Sequence, residues 1–191
     1  KDVVVGDGCW IASNAVLKAG TRMGANCQVF PGAVIASVPQ DLKFQEEYTT
    51  VDIGEGAVIR EFATIHRGTS HSQRTFVGEK ALIMAYVHVA HDCYIGHQTI
   101  LSNAVNLAGH VVVGDSVVIG GMCAVHQFTL IGKHAMIAGG SMVRKDVPPF
   151  AKAGRDPISY VGVNYRGLSR RGFDSETIQL IQGMYRVIFL S

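Results

Sequence analysis

Between Thr75 and Asp146 the chain repeats itself every six residues. Cut into sixes, it reads TFVGEK, ALIMAY, VHVAHD, CYIGHQ, TILSNA, VNLAGH, VVVGDS, VVIGGM, CAVHQF, TLIGKH, AMIAGG and SMVRKD. The third place of each block is a bulky aliphatic: Val77, Ile83, Val89, Ile95, Leu101, Leu107, Val113, Ile119, Val125, Ile131, Ile137 and Val143. Two places earlier stands a smaller residue, from Thr75, Ala81 and Val87 through to Ser141. In a strand, residues i and i−2 point to one face. No helix has a period of six with this pairing. A parallel β-solenoid does, because each flat side of a coil takes one large and one small inward residue. Twelve successive blocks keep the rule, so the pattern predicts an all-β solenoid.

The repeat is already running at Lys1, with Val5, Ile11, Leu17, Met23, Val29 and Ile35 at the large inward place. It breaks at Pro39–Thr50, a polar stretch that reads as a loop. It resumes with Ile53, Ile59 and Ile65, and breaks again at Thr69–Arg74. Loops on a rigid scaffold are where binding groups collect. The run ends at DVPPF, where Pro148 and Pro149 cannot donate to a ladder and are expected to stop the stacking. Ala151–Tyr165 shows no period. A helix start follows at Asp174 or Ser175, with Ile178, Ile181, Tyr185 and Ile188 at spacings of three and four. The predicted organisation is a rod over 1–150 and the start of a helical extension over 151–191.

Composition fits a narrow aliphatic interior with tight corners: 48% hydrophobic, only 8% aromatic, and 22 glycines. The net charge of +2 is too small to argue for nucleic acid. No apolar run reaches the length of a membrane span and no signal peptide is visible; the chain opens at Lys1 inside the repeat, so a fragment is expected, and the cysteines fit a cytoplasmic protein. Cys9, Cys27, Cys93 and Cys123 all fall at the small inward place. They read as core residues kept reduced, not as ligands or nucleophiles.

Three blocks close one triangular coil, so residues 18 apart stack about 4.8 Å apart along the rod. His91, Gly109 and Gln127 share one column, and Asp92, His110 and Phe128 the next. Gly121 and Gly139 form a column without side chains. His97, Asp115 and Lys133 read as a surface charge ladder. An imidazole, a carboxylate and a bare backbone donor with open space beside the ring are the parts of a general base with an oxyanion hole. A zinc site among His88, His91, His110 and His126 is the competing chemistry. Polar corners with no chemistry at all are the third possibility.

The motifs QDLKF, ATIHRGT, AHDC, LAGHVVVGD, IGGMCAVHQF, DVPPF, GVN and LSRRGF run in order from Gln40 to Phe173. Together they resemble the UDP-N-acetylglucosamine 3-O-acyltransferases of lipid A synthesis, a hexapeptide-repeat family. The resemblance, and not the periodicity, implies left-handed coils: a left-handed parallel β-helix with a short C-terminal helical segment, acting as a homotrimer. It implies transfer of an (R)-3-hydroxyacyl group from acyl carrier protein to the 3-hydroxyl of UDP-N-acetylglucosamine in the cytoplasm of a Gram-negative bacterium. No cofactor or metal is implied.

Residue by residue, the resemblance makes His91 the base, Asp92 its support and the Gly109 N–H the oxyanion donor. His88, His110 and Gln127 would line the site. Asp41, Lys43 and His66 would hold the sugar nucleotide, and Asn164 and Arg170 its uridine diphosphate. Gly121, Gly139 and Pro157 would shape the acyl pocket. Two places depart from the pattern. Arg166 stands where the family often has an acidic residue, and Pro157 where some relatives carry a histidine that closes the acyl pocket. Glycine at 139 goes with longer chains. Alternatives are the N-acyltransferase acting later in the same pathway, a zinc-dependent hexapeptide carbonic anhydrase and a non-catalytic β-helix scaffold. Flat aliphatic faces near Val87 and Val105 are expected to be covered by neighbouring subunits, bringing His91 and His126 together.

Overall fold

The computed structural model describes residues 2–190, of which those up to Gly154 form a left-handed parallel β-helix whose three flat sides are three parallel-stranded sheets. The first contains Val3–Val5, Thr21–Met23, Thr50–Ile53, Arg74–Val77, Tyr94–Ile95, Val112–Val113 and Leu130–Ile131. The second includes Val58–Ile59, Leu82–Ile83, Ile100–Leu101, Val118–Ile119 and Met136–Ile137. The third includes Thr64–His66, His88–Val89, Asn106–Leu107, Ala124–Val125 and Met142–Val143. Register follows the hexads: Val77 pairs with Ile95, Ile95 with Val113 and Val113 with Ile131.

The two excursions account for the departures from that register. Met23 pairs with Ile53, thirty residues on, which is one coil of eighteen plus the twelve of Pro39–Thr50. Ile53 pairs with Val77, one coil plus the six of Thr69–Arg74. Both excursions leave after a strand of the third sheet, Val34–Ser37 or Thr64–His66, and re-enter the first. They therefore bulge from one corner of the triangle. That corner also carries His91, Gly109 and Gln127.

The large inward aliphatics from Val77 to Val143 are buried. Several small inward polar groups find carbonyl partners: Thr99 Oγ1 donates to Gly114 O at 3.0 Å, and the Cys93 and Cys123 thiols lie 3.1 Å from Ala108 O and Ala138 O. All four cysteines are free thiols. Burial pushes the Cys27 thiol up to about 11 and Cys93 to about 12, which suits packing and not nucleophilic chemistry.

Corners require one left-handed residue each. The conformation disfavours L side chains by about 1–2 kcal/mol, yet Asp92 (φ 59°), His110 (62°) and Phe128 (64°) all adopt it.

Four expectations change. Val87 and Val105 are wholly buried, because they occupy the small inward place. The outward aliphatic column is instead Val58, Leu82, Ile100, Val118 and Met136 on the second sheet. The prolines do not stop the stacking, since Pro148 and Pro149 sit where no ladder N–H is needed. Val147 still bridges to Ile131, and Ala151–Gly154 adds a strand beside Met136–Ile137. The aperiodic stretch is then a hairpin, Ser159–Val163 returning antiparallel on Ala151–Gly154. Finally, Asp115 does not ladder with its neighbours' charges. Its carboxylate accepts the His97 backbone N–H at 2.8 Å and so caps a turn.

A short helix, α1 (Tyr165–Arg170), precedes the expected one, α2 (Ser175–Leu190). Asp174 caps α2, accepting the Thr177 N–H at 2.7 Å. Ile178, Ile181 and Tyr185 pack on Leu168. Ile188 is exposed, and Phe189, four residues after Tyr185, stacks on Tyr160 and Tyr185 at the rim of this cluster while staying 45% exposed. Among the described residues no helix is long and apolar enough to cross a membrane.

Candidate active site

Adjacent corner residues His91 and Asp92 point their side chains at each other. His91 Nδ1 lies 2.8 Å from Asp92 Oδ2, and the Asp92 carboxylate is fully buried. An ionised carboxylate only accepts hydrogen bonds, so Nδ1 carries the proton and Nε2 keeps its lone pair. The second excursion supplies Asp92's other partners. Thr69 N–H donates to Oδ1 at 2.9 Å, Thr69 Oγ1 to Oδ2 at 2.7 Å and Ser72 N–H to Oδ1 at 3.2 Å. Burial alone would favour the neutral acid. The bonds from Ser72, His91 and Thr69 outweigh it and hold Asp92 well below the usual carboxylate range.

Gly109 does not leave open space beside His91: the ring fills it. A Cβ on Gly109 would stand 2.6 Å from His91 Cε1 and 2.7 Å from Nε2. The glycine is therefore required by the imidazole above it. Its N–H has no partner among the described residues.

His110 shares the corner. Its Nδ1 is buried without a partner, 3.9 Å from Asp92 Oδ2. Its ring stacks on Phe128 at 4.4 Å and meets His91 and His71 edge-on at 5.0 and 4.7 Å. His88 Nδ1 lies 2.8 Å from Thr64 Oγ1, and His66 is buried edge-on against His88. Burial, with His88 and His91 nearby, lowers His66 to about 4. Burial also lowers His88 and His110.

Two grooves flank this corner. One, of about 430 Å³, is lined by Gln40, His88, His91, Asn106, Gly109 and Gln127 among others. The other, of about 260 Å³, gathers Asp41, Lys43 and Glu47 from the first excursion with His71, His110 and Phe128. Residues 50 or more apart in sequence thus converge on one edge of the rod. Asn164 and Arg170 lie elsewhere, in a cavity of about 690 Å³ against the second sheet with Val118, Met136, Lys152 and Arg166. The Asn164 side chain is occupied there: Oδ1 accepts Gly167 N–H and caps α1, while Nδ2 donates to His134 O at 2.9 Å. Gly121 and Gly139 stack at the corner between the second and third sheets, and Pro157 is exposed in the hairpin turn.

The zinc arrangement does not assemble from these side chains. His91, Asp92 and His110 place ligand atoms within 4.8 Å of one another. Asp92's lone pairs, however, are spent on Thr69, Ser72 and His91. His88 turns to Thr64, and His126 Nδ1 lies 3.1 Å from Gln127 O. The three-imidazole set with an open position is absent among the described residues.

The corner offers a carboxylate-oriented imidazole, a free backbone donor and grooves on either side. That arrangement suits proton abstraction from a hydroxyl beside an acyl group. The columns read from the sequence already set Gly109 beside His91 and Asp92, and the structure brings the three together. Sequence reasoning missed Thr69, Ser72 and His71, because an irregular loop carries no period to place it.

Residues 146–191 match the second domain of UDP-N-acetylglucosamine O-acyltransferase, and residues 2–37 the bacterial transferase hexapeptide repeat. An acyl-(acyl-carrier-protein)–UDP-N-acetylglucosamine O-acyltransferase from Verminephrobacter eiseniae is 44% identical over 91% of this chain and 67% of its own length. One of the same name from Campylobacter concisus is 42% identical over 99% of this chain and 72% of its own. The crystal structure of a UDP-N-acetylglucosamine acyltransferase from Bacteroides fragilis superposes with a TM-score of 0.96 at 40% identity, covering all of this chain and 82% of that one. The likeness runs through rod, excursions and helical extension alike, and both of these curated relatives are named for O-acyl transfer. The chain belongs to the family of UDP-N-acetylglucosamine O-acyltransferases.

Proposed function

We propose that this chain transfers an (R)-3-hydroxyacyl group from acyl carrier protein to the 3-hydroxyl of UDP-N-acetylglucosamine, with His91 as general base. The observation that carries the assignment is the 2.8 Å bond from His91 Nδ1 to a buried Asp92. It leaves Nε2 basic and beside Gly109 on the groove. Nε2 takes the proton of the sugar hydroxyl as its oxygen attacks the thioester carbonyl. The Gly109 N–H holds the oxyanion that forms. The intermediate then collapses, the C–S bond breaks, and the imidazolium returns its proton to the leaving thiolate. Asp92 stabilises the imidazolium in between. The thioester is already activated, so the transfer needs neither a covalent enzyme intermediate nor a cofactor.

Asp41, Lys43 and His110 are positioned to hold the sugar nucleotide, with His66 shaping the wall behind His88. Gln127 lies on the donor side. Asn164 and Arg170 are the candidate contacts to the diphosphate, and the trough at Gly121 and Gly139, bounded by the Pro157 hairpin, takes the acyl chain. One chain presents these groups on different sides of the rod, and a homotrimer reconciles them. A neighbour covering the aliphatic second sheet would bring its third-sheet corner to Asn164 and Arg170. We assign 1–150 as the scaffold of the site and 151–191 as the base of the helical extension. Both substrates place the reaction in the cytoplasm.

The test is turnover of purified protein with acyl carrier protein thioester and UDP-N-acetylglucosamine. His91→Ala should lower kcat by about 10²–10⁴-fold with the fold intact, because His91 sits at a corner and not in the core. Near-normal turnover by this variant would remove His91 from the base role.

A further inference from the structure

The mechanism uses His91 but does not explain why Asp92 serves His91 and not His110. Asp92 Oδ2 lies 2.8 Å from His91 Nδ1 and 3.9 Å from His110 Nδ1, and the His110 nitrogen is buried with no other partner. Both rings are equally sheltered, with side chains 14% and 16% exposed. A carboxylate turning about its last bond could reach either.

The second excursion removes that freedom. Thr69 contributes its N–H to Oδ1 and its hydroxyl to Oδ2, so one residue spans both oxygens. Ser72 adds its N–H to Oδ1. The Ser72 hydroxyl touches both Asp92 Oδ1 and Arg74 O. Its single proton goes to the carboxylate, the stronger acceptor. Thr69 is itself buried, and His71 Nα–H bonds its Oγ1 at 3.3 Å, tying the clamp into the loop. We propose that Thr69 and Ser72 are positioning residues whose clamp on both oxygens of Asp92 selects His91 over His110 and thereby sets the His91 tautomer. The proposal rests on the reading of His91 as the base, and it concerns residues that act through Asp92.

The experiment is ¹⁵N NMR of histidine-labelled full-length protein, with the pH dependence of kcat/KM measured on the same samples. The variants are Ser72→Ala, Thr69→Val, their combination, and Thr69→Ser as the conservative control. In the unmodified protein His91 should be a single Nδ1–H tautomer. Loss of the clamp should give a mixed tautomer at His91, a new hydrogen-bonded signal at His110, and an acid limb of kcat/KM displaced to lower pH. The displacement is expected because a carboxylate shared with His110 stabilises the His91 imidazolium less. Thr69→Ser should restore the tautomer and the profile. Ser72 is exposed, so Ser72→Ala gives the same readout if the Thr69→Val variants fail to fold. A pure Nδ1–H tautomer and an unmoved acid limb in folded Ser72→Ala and Thr69→Val would overturn the proposal. A mixed tautomer with unchanged kcat would support the clamp and overturn His91 as the base.

Discussion

Replacing Gly109 by alanine adds one methyl group and nothing else. The position lies outside the left-handed region, so the backbone accepts a side chain without strain. The consequence falls on His91. The new Cβ would stand 2.6 Å from Cε1 and 2.7 Å from Nε2. Ordinary contact begins at 3.4 Å, so the ring must retreat by roughly 0.8 Å, and a misplacement of about 1 Å costs on the order of 10²-fold in rate. Retreat also lengthens the 2.8 Å bond to Asp92, so the base loses its orientation with its place. The ring lies on the groove side, so the aliphatic interior is untouched and global stability should change little. Steady-state transfer measured at saturating donor and acceptor should show the loss in kcat, with circular dichroism and the unfolding midpoint close to those of the unmodified protein. A Gly109→Ala enzyme within about threefold of normal kcat would show that the ring does not have to be where the structure puts it, and the geometric argument for His91 would fail.

Stability should fall as pH drops through the range set by the buried histidines. His66 is lowered from 6.5 to about 4, so below pH 6.5 the unfolded chain binds a proton that the folded chain refuses. The loss grows until about pH 4, and a full shift of that size amounts to about 3 kcal/mol. Burial shifts His88, His110 and His134 the same way. Denaturant unfolding at pH 7.5 and pH 5 should show the difference, with a shallower dependence in His66→Gln; equal stability at the two pH values would refute it. For the acyl chain, a long donor should be preferred over one four methylenes shorter by about 100-fold, at about 0.8 kcal/mol per CH₂ buried. Gly139→Met should reverse that ranking in a two-donor competition, because its Cβ would lie 3.2 Å from Gly121 O and its side chain would fill the trough. An unchanged ranking would remove Gly139 from the acyl site.

The sequence by itself determined the coil. A period of six with a paired small and large residue leaves one way to bury both, and it is repeated often enough to specify register as well as class. It also determined the offsets, since excursions of twelve and six residues return the chain to the same column, as the Met23–Ile53–Val77 ladder shows. His91, Gly109 and Gln127 could be placed in one column for the same reason. Only the tertiary structure decided what those neighbours do. That the space above Gly109 belongs to the His91 ring depends on a rotamer set by Asp92. Asp92 is in turn held by Thr69 and Ser72 from an irregular loop twenty or more residues earlier. The hairpin after the prolines likewise depends on an open edge at Met136–Ile137 that no local pattern announces. Periodic backbone structure is a local property summed many times, and it is written into every block. The aim of a buried carboxylate is a property of all the groups around it at once, and those groups meet only when the chain has folded.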